Sequence, residues 1–248
     1  MSVPDPPAPR DRALADAYAR FHIRVRGSGP LQGYTLTELK DGHFTAAEMR
    51  EASAEVPVIT VGRLLEIGYT VEELRLGGYA GSELRASGCA AADMLTAGFT
   101  LKQLLVAGAT PAELKELGQS AADLRAAGST CLALHRAGYT STELHDAGFG
   151  CGEMKAVGMT ASNLREAGFR AEQLEDVRFS CAELHDGGYL VEEMRRVTFS
   201  ATELRLAGYA AAELKSIGWT AKELRAGGYP LTTLKQLHFP RWELSQLI

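Results

Sequence analysis

The stretch GYTVEELRLGGYAGSELRASG, residues 68–88, states one pattern twice: G-Y-x-x-x-E-L-R returns after ten residues. Each copy carries a full set of helix signals. Thr70 followed by Glu73 is a capping box: the hydroxyl accepts from the N–H of residue 73, and the carboxylate accepts from the N–H of Thr70. Tyr69 before the cap and Leu74 at the fourth helical position make a hydrophobic staple. Arg75 lies near the C-terminus, where a cation complements the helix dipole. Gly78 sits where a left-handed residue stops the helix. The spacing predicts a two-turn helix. About seven residues is far short of the roughly 12–15 needed for marginal stability alone, so each copy must carry its own ends and lean on its neighbours.

The register runs from Ile59 to Phe239 without an insertion. The leucine column, 64 to 244, is Leu or Met in all 19 copies, and the staple column, 59 to 239, is aromatic in 13. The cap column, 60 to 240, is Ser or Thr in 11 copies, and the stop column, 68 to 238, is Gly in 15 of 18. Pro111 takes the first helical position, where a missing N–H costs nothing. YTLTELKDGH (34–43) and FTAAEMREAS (44–53) run five residues out of register, and AEVPV (54–58) absorbs the offset, for about 21 copies.

The column before the stop alternates small and bulky: Ala147, Val157, Ala167, Val177, Gly187, Val197, Ala207, Ile217, Gly227, Leu237. Tyr189, Tyr209 and Tyr229 likewise alternate with Phe179, Phe199, Trp219 and Phe239, and the stop departures Arg178, Thr198 and His238 fall in the bulky set. The true period is therefore twenty. This predicts an all-α, elongated two-layer α-solenoid with two short helices per superhelical turn, its leucines meeting in an inner seam. At the usual helix spacing it would be a rod on the order of 90 Å long. Before residue 147 the alternation fades; pairing there is an extrapolation, with three helices per turn as the alternative.

Residues 1–10 read as a disordered Pro-rich tail, 11–30 as a capping helix and linker, and 31–248 as the repeat array. Apolar content of 46%, charged content of 23% and a net charge of −5 give no global reason to expect nucleic acid or an anionic membrane as partner. No apolar run of spanning length and no secretory h-region occurs, so the expected location is cytoplasmic, with Cys89, Cys131, Cys151 and Cys181 reduced.

Catalytic, metal and cofactor sites are not expected. The recurring glutamates are equivalent caps, whereas acid–base catalysis needs carboxylates in unlike environments. The glycines end helices and follow no strand, unlike a phosphate loop. Cys131, Cys151, His135 and His145 lack metal-ligand spacing. His135, His145 and His185 replace surface bases in a column that is Lys or Arg in 11 of 19 copies. That column includes Arg75, Arg125, Arg205 and Arg225, and offers a polyanion stripe as one alternative. Tyr189, Tyr209 and Tyr229, with Arg205 and Arg225 beside them, are the partner-binding candidates, because a layer choosing Tyr over Phe is expected to present hydroxyls to water. RWELSQLI (241–248) stops mid-repeat, so Trp242, Leu244, Leu247 and Ile248 are candidates for self-association into a dimer or end-to-end stack.

The pattern resembles the class of tandem short-helix solenoids, here with a decapeptide unit far shorter than TPR, ankyrin or HEAT units. That resemblance implies a binding or scaffolding role, and the leading expectation is a non-enzymatic scaffold for a protein or peptide partner along one face.

Overall fold

Six residues cannot hold an α-helix by themselves, because the first four N–H and last four C=O groups have no internal partner. The chain answers at both ends of most copies, as the one around Val71–Leu76 shows. Thr70 Oγ1 accepts from the N–H of Glu73 at 3.1 Å, and Glu73 Oε2 accepts from the N–H of Thr70 at 2.8 Å. At the other end Gly78 is left-handed, with φ +84°. Its N–H donates to the Arg75 carbonyl, and the Tyr79 N–H donates to that of Leu74. These two bonds are a Schellman motif.

The computed structural model describes residues 36–41, 43–53 and 59–245. The expected tail (1–10), the capping helix and linker (11–30) and AEVPV (54–58) lie outside them. Every regular element among the described residues is a helix, mostly of six residues, and they recur every ten residues from Val61–Glu66 to Arg241–Ser245. None is long and apolar enough to cross a membrane.

The described residues fall into two units that divide between Gly118 and Gln119. In the first, Ala46–Ser53 packs against Val71–Leu76 and that against Ala91–Thr96; Val61–Glu66 packs against Gly81–Ala86 and that against Leu101–Val106. In the second, Ala121–Ala126, Ser141–Asp146, Ala161–Glu166, Cys181–Asp186, Ala201–Ala207, Ala221–Ala226 and Arg241–Ser245 stack one on the next. Each partner is the next helix but one in the chain. Two helices per turn therefore hold in the first unit too, where the sequence alternation fades. The leucine column is buried from Leu64 to Leu234 in both units, each leucine contributing roughly 2 kcal/mol of burial.

The alternating column makes the two layers of the second unit unlike. In the layer that stacks from Ala121–Ala126 onward, a Cβ added to Gly187 would lie 2.6 Å from Ala161 Cβ, and one on Gly227 only 2.4 Å from Ala201 Cβ. Here backbone meets backbone. In the other layer Val177 fills the gap, its Cγ1 3.5 Å from where a Cβ on Gly152 would stand. The close layer keeps a hydroxyl at every cap from Ser120 to Thr220, each accepting from the N–H three residues on. The open layer carries Thr130, Gly150, Arg170, Leu190, Ala210 and Pro230 at the same position.

One repeat breaks form. Arg178 and His238 keep the left-handed stop at φ +65° and +54°, a strain of roughly 1 kcal/mol or more each. β-Branched Thr198 does not. The helix before it tightens to the 3-10 segment Glu193–Arg196, and Val197 turns extended at φ −96°, ψ 149°. Its partner column changes sign to match. Lys155 and Lys215 donate to the carbonyls ending the next turn of their layer, whereas Glu175 accepts from the N–H and hydroxyl of Thr198.

Two outcomes are expected. The cap N–H groups of residues 70, 110, 180 and 220, and chiefly the Ser200 hydroxyl for Glu203, hold the carboxyls of Glu73, Glu113, Glu183, Glu203 and Glu223 below their usual range. A lowered folded value means stability present above the unfolded value of about 4.3 and lost as pH falls through the folded one. The thermal midpoint should thus hold between neutrality and about pH 5, then decline. Replacing these five by Gln, as Gln103 already serves Thr100, should flatten the acid limb; an unchanged limb would refute the assignment. Second, Thr198→Gly with Glu175→Arg should raise helical circular dichroism and Tm, whereas Glu175→Arg alone lowers Tm. The double-mutant cycle should show coupling of about 1 kcal/mol, and strict additivity would count against the pairing.

Candidate functional site

The basic column was expected to complement each helix's own C-terminus. The bases do lie in the last turn of their own helices, and Arg75, Arg125, Lys155, Arg205 and Lys215 also reach one turn further. Arg125 donates to the Ala147 carbonyl at 2.7 Å, Lys155 to that of Val177 at 3.0 Å, and Arg205 to that of Gly227 at 2.8 Å; Arg75 and Lys215 do likewise to Ala97 and Leu237. These carbonyls end the helix stacked next in the same layer, so each base caps its neighbour. The same cations cover the following staple rings, Arg125 over Phe149 at 4.5 Å and Lys155 over Phe179 at 4.2 Å from the ring centroid. His145 and His185 keep the second half of this role, edge-on to Phe169 and Tyr209. Arg85 instead pairs with Glu113 at 2.9 Å.

The tyrosine ladder is also corrected. Tyr189, Tyr209 and Tyr229 are 2%, 4% and 5% exposed, and their hydroxyls do not face water. Each donates to a main-chain carbonyl one turn back: Tyr189 to Phe169 at 2.8 Å, Tyr209 to Tyr189 at 2.8 Å, Tyr229 to Tyr209 at 2.7 Å. Tyr139 and Tyr69 do the same to Gln119 and Phe44. A staple residue's carbonyl lies outside the helix ladder and inside the seam, and the phenol satisfies it. Burial raises the Tyr189 and Tyr209 phenols well above the ordinary value and pushes that of Tyr229 up to about 12. Arg205 is held by the Gly227 carbonyl, and Arg225 donates to that of Tyr229 at 3.3 Å. Tyr189, Tyr209, Tyr229 and Arg205 are thus parts of a turn-to-turn bonding system, while Arg225 bonds the end of its own repeat.

The other candidates separate clearly. The four cysteines are free and buried, and burial pushes the Cys151 and Cys181 thiols up to about 11, which disfavours the reactive thiolate. Among the described residues, no three His, Cys, Asp or Glu side chains stand together as a metal-ligand set. Of the self-association candidates, Trp242 is 62% exposed and Leu244 is half-buried; Leu247 and Ile248 lie outside the described residues. A cleft of about 520 Å³ runs between Lys155, Thr160, Phe179, Glu183 and Gly187. One of about 430 Å³ in the first unit is lined by the same columns, Lys40, Thr45, Tyr69, Glu73 and Gly77. Both follow from a glycine in the position before the stop, so they belong to the repeat geometry.

The model of a family described as a decapeptide repeat region matches three times in tandem, over residues 59–131, 118–189 and 178–247. The chain belongs to this decapeptide-repeat family. No curated protein and no solved structure matches it.

Exposed apolar side chains outside the repeat pattern include Leu76, Val106 and Leu206, and two cap positions on the open layer of the second unit stand out besides. Arg170 and Leu190 replace hydroxyl caps on successive turns, and both are exposed, Leu190 by 58%. The Arg170 side chain has no hydrogen bond or ion pair among the described residues, nor has that of Arg196. In the sequence, Arg170 and Leu190 are two of the eight cap positions without Ser or Thr, and nothing local sets them apart from Gly150 or Ala210.

The tyrosine bonding yields a contrast. Tyr209→Phe leaves the buried Tyr189 carbonyl unpaired and should cost about 1–3 kcal/mol. The Tyr79 hydroxyl is buried with no partner among the described residues, so Tyr79→Phe should be neutral or stabilising. Equal costs in chemical denaturation would overturn the distinction.

Proposed function

We propose that this decapeptide-repeat protein is a non-enzymatic scaffold that binds a protein or peptide along the open layer of its second unit. One observation carries the reading: the residue types that could do chemistry are occupied by the repeat itself. The glutamates close capping boxes, the bases cap neighbouring helices, the tyrosines satisfy buried carbonyls and the cysteines pack. The same occupancy counts against polyanion binding, since bases committed to carbonyls and rings make a poor phosphate track.

The open layer supports the reading from the other side. Losing a hydroxyl cap costs about 1 kcal/mol, and the layer accepts that at Arg170 and at Leu190 with no compensating bond from either side chain. Departures from local rules without local compensation concentrate where a surface serves another purpose.

Peptides selected from a displayed random library on the full chain should bind saturably. Arg170→Thr with Leu190→Thr restores two caps, so it should raise Tm while weakening those peptides by about tenfold, the equivalent of 1.4 kcal/mol. A library that yields no binder, or binders indifferent to the two substitutions, would overturn the proposal.

A further inference from the structure

The repeat that breaks form also holds a short motif that the decapeptide does not call for, RRVTF at residues 195–199. Arg195 and Arg196 are the chain's only adjacent pair of Lys or Arg, and Thr198 is its only Ser or Thr with a base at both the second and third positions before it. Apolar Phe199 follows directly. Among the stop positions, Thr198 alone carries a hydroxyl. The Arg196 side chain is exposed and bonds nothing among the described residues.

The backbone presents this motif in a form found in none of its neighbours. Val177 and Ile217, one turn to either side in the same column, end their helices at φ −96°, ψ 15° and φ −95°, ψ 8°. Val197 stands instead at φ −96°, ψ 149°, in the extended region. The chain thus leaves the 3-10 segment at Val197 and enters its next helix only at Ala201. Between them Thr198 is exposed and Phe199 half-buried, whereas the staples Phe179, Tyr189 and Tyr209 are buried. Cap hydroxyls are held differently. That of Ser200 accepts from the N–H of Glu203 and donates to its carboxylate, inside a closed helix start.

A protein kinase takes its substrate as an extended segment and sets the register by charge, with carboxylates along its groove pairing with arginines ahead of the hydroxyl. We infer that Thr198 is a phosphorylation site for a kinase of this arginine-directed class, with magnesium-bound ATP as co-substrate. In the transfer the Thr198 oxygen bonds the γ-phosphorus as the bond to the leaving ADP breaks, and the hydroxyl proton passes to the catalytic aspartate of the kinase. The consequence falls on Glu175. In the unmodified chain Thr198 donates both its N–H, at 3.0 Å, and its hydroxyl to that carboxylate. Once esterified, the oxygen has no proton to donate, and about −1.5 to −2 charges stand against Glu175. Phosphorylation turns the tie between these two turns into a repulsion.

The test treats the folded full chain with magnesium-ATP and the catalytic subunit of cyclic-AMP-dependent kinase, and reads the product by intact-mass and fragment spectra. One phosphate on Thr198 is expected, with none on Ser200. Arg196→Ala breaks no bond of the fold and should slow incorporation about tenfold or more, the worth of one charge-assisted pair. The phosphorylated chain should melt at a lower Tm than the unmodified one, and on a Glu175→Gln background that drop should shrink or vanish. A folded chain that takes no phosphate at Thr198 would overturn the inference, whether or not a peptide of residues 192–203 takes one. So would incorporation indifferent to Arg196→Ala, or a phosphorylated chain whose Tm is unchanged.

Discussion

Unpaired backbone groups at the ends of a six-residue helix are the constraint on which the rest of this molecule depends. A long helix has a few orphan N–H and C=O groups against many internal bonds; in this one, orphans outnumber internal bonds. Each repeated side chain follows from that imbalance. Thr70 and Glu73 take the N-terminal donors, Gly78 lets the chain turn back so that two N–H groups reach the last carbonyls, and Arg125 or Lys155 caps the carbonyls that remain. Even the buried tyrosines belong to this set, since the carbonyl each one satisfies lies just outside a helix ladder. The sequence repeats its ends more faithfully than its middle because the ends dominate so short an element.

One leucine in ten residues can hold the fold because it serves two motifs at once. Leu74 is the fourth helical residue, facing the staple at Tyr69, and also the position whose carbonyl accepts from Tyr79 in the Schellman turn. Each leucine thus sits between two successive staples and ties a repeat to the one after it. Layer spacing is set separately, by the residue before the stop. With glycine there the next turn settles against the alanine that opens a neighbouring helix, and with valine it is propped away. The size of the side chain in that column therefore acts on the packing of a whole turn.

How much of this was legible follows from the reach of each interaction. The caps, staples and stops act within ten residues, and from Thr70, Glu73, Leu74 and Gly78 they could be read directly. The two-helix turn showed only where its alternation was strong, after Ala147, because nothing in a single copy encodes its partner two copies on. The tyrosines misled for the same reason. Phe against Tyr looked like dry against wet, but the group that needs the hydroxyl is a carbonyl one turn back, which no local pattern displays. The bases were read as capping their own helices since the pull of a dipole is visible in one copy, while the reach of Arg205 to the Gly227 carbonyl is not.

The departures from the decapeptide are of two kinds, those the fold compensates and those it does not. Thr198 cannot adopt the left-handed stop, and the chain answers it with Glu175, an acceptor where other copies hold a donor. That pair is self-contained: the defect and its remedy lie one turn apart, and the fold needs nothing further to explain them. Arg170 and Leu190 differ. Each removes a cap hydroxyl, keeps only the bond from its own N–H to Gln173 or Glu193, and puts a large side chain on the surface. The interior gains nothing from either. The proposal of the open layer as a binding face therefore rests on these two exposed side chains and not on the far more conspicuous tyrosines, which the fold uses.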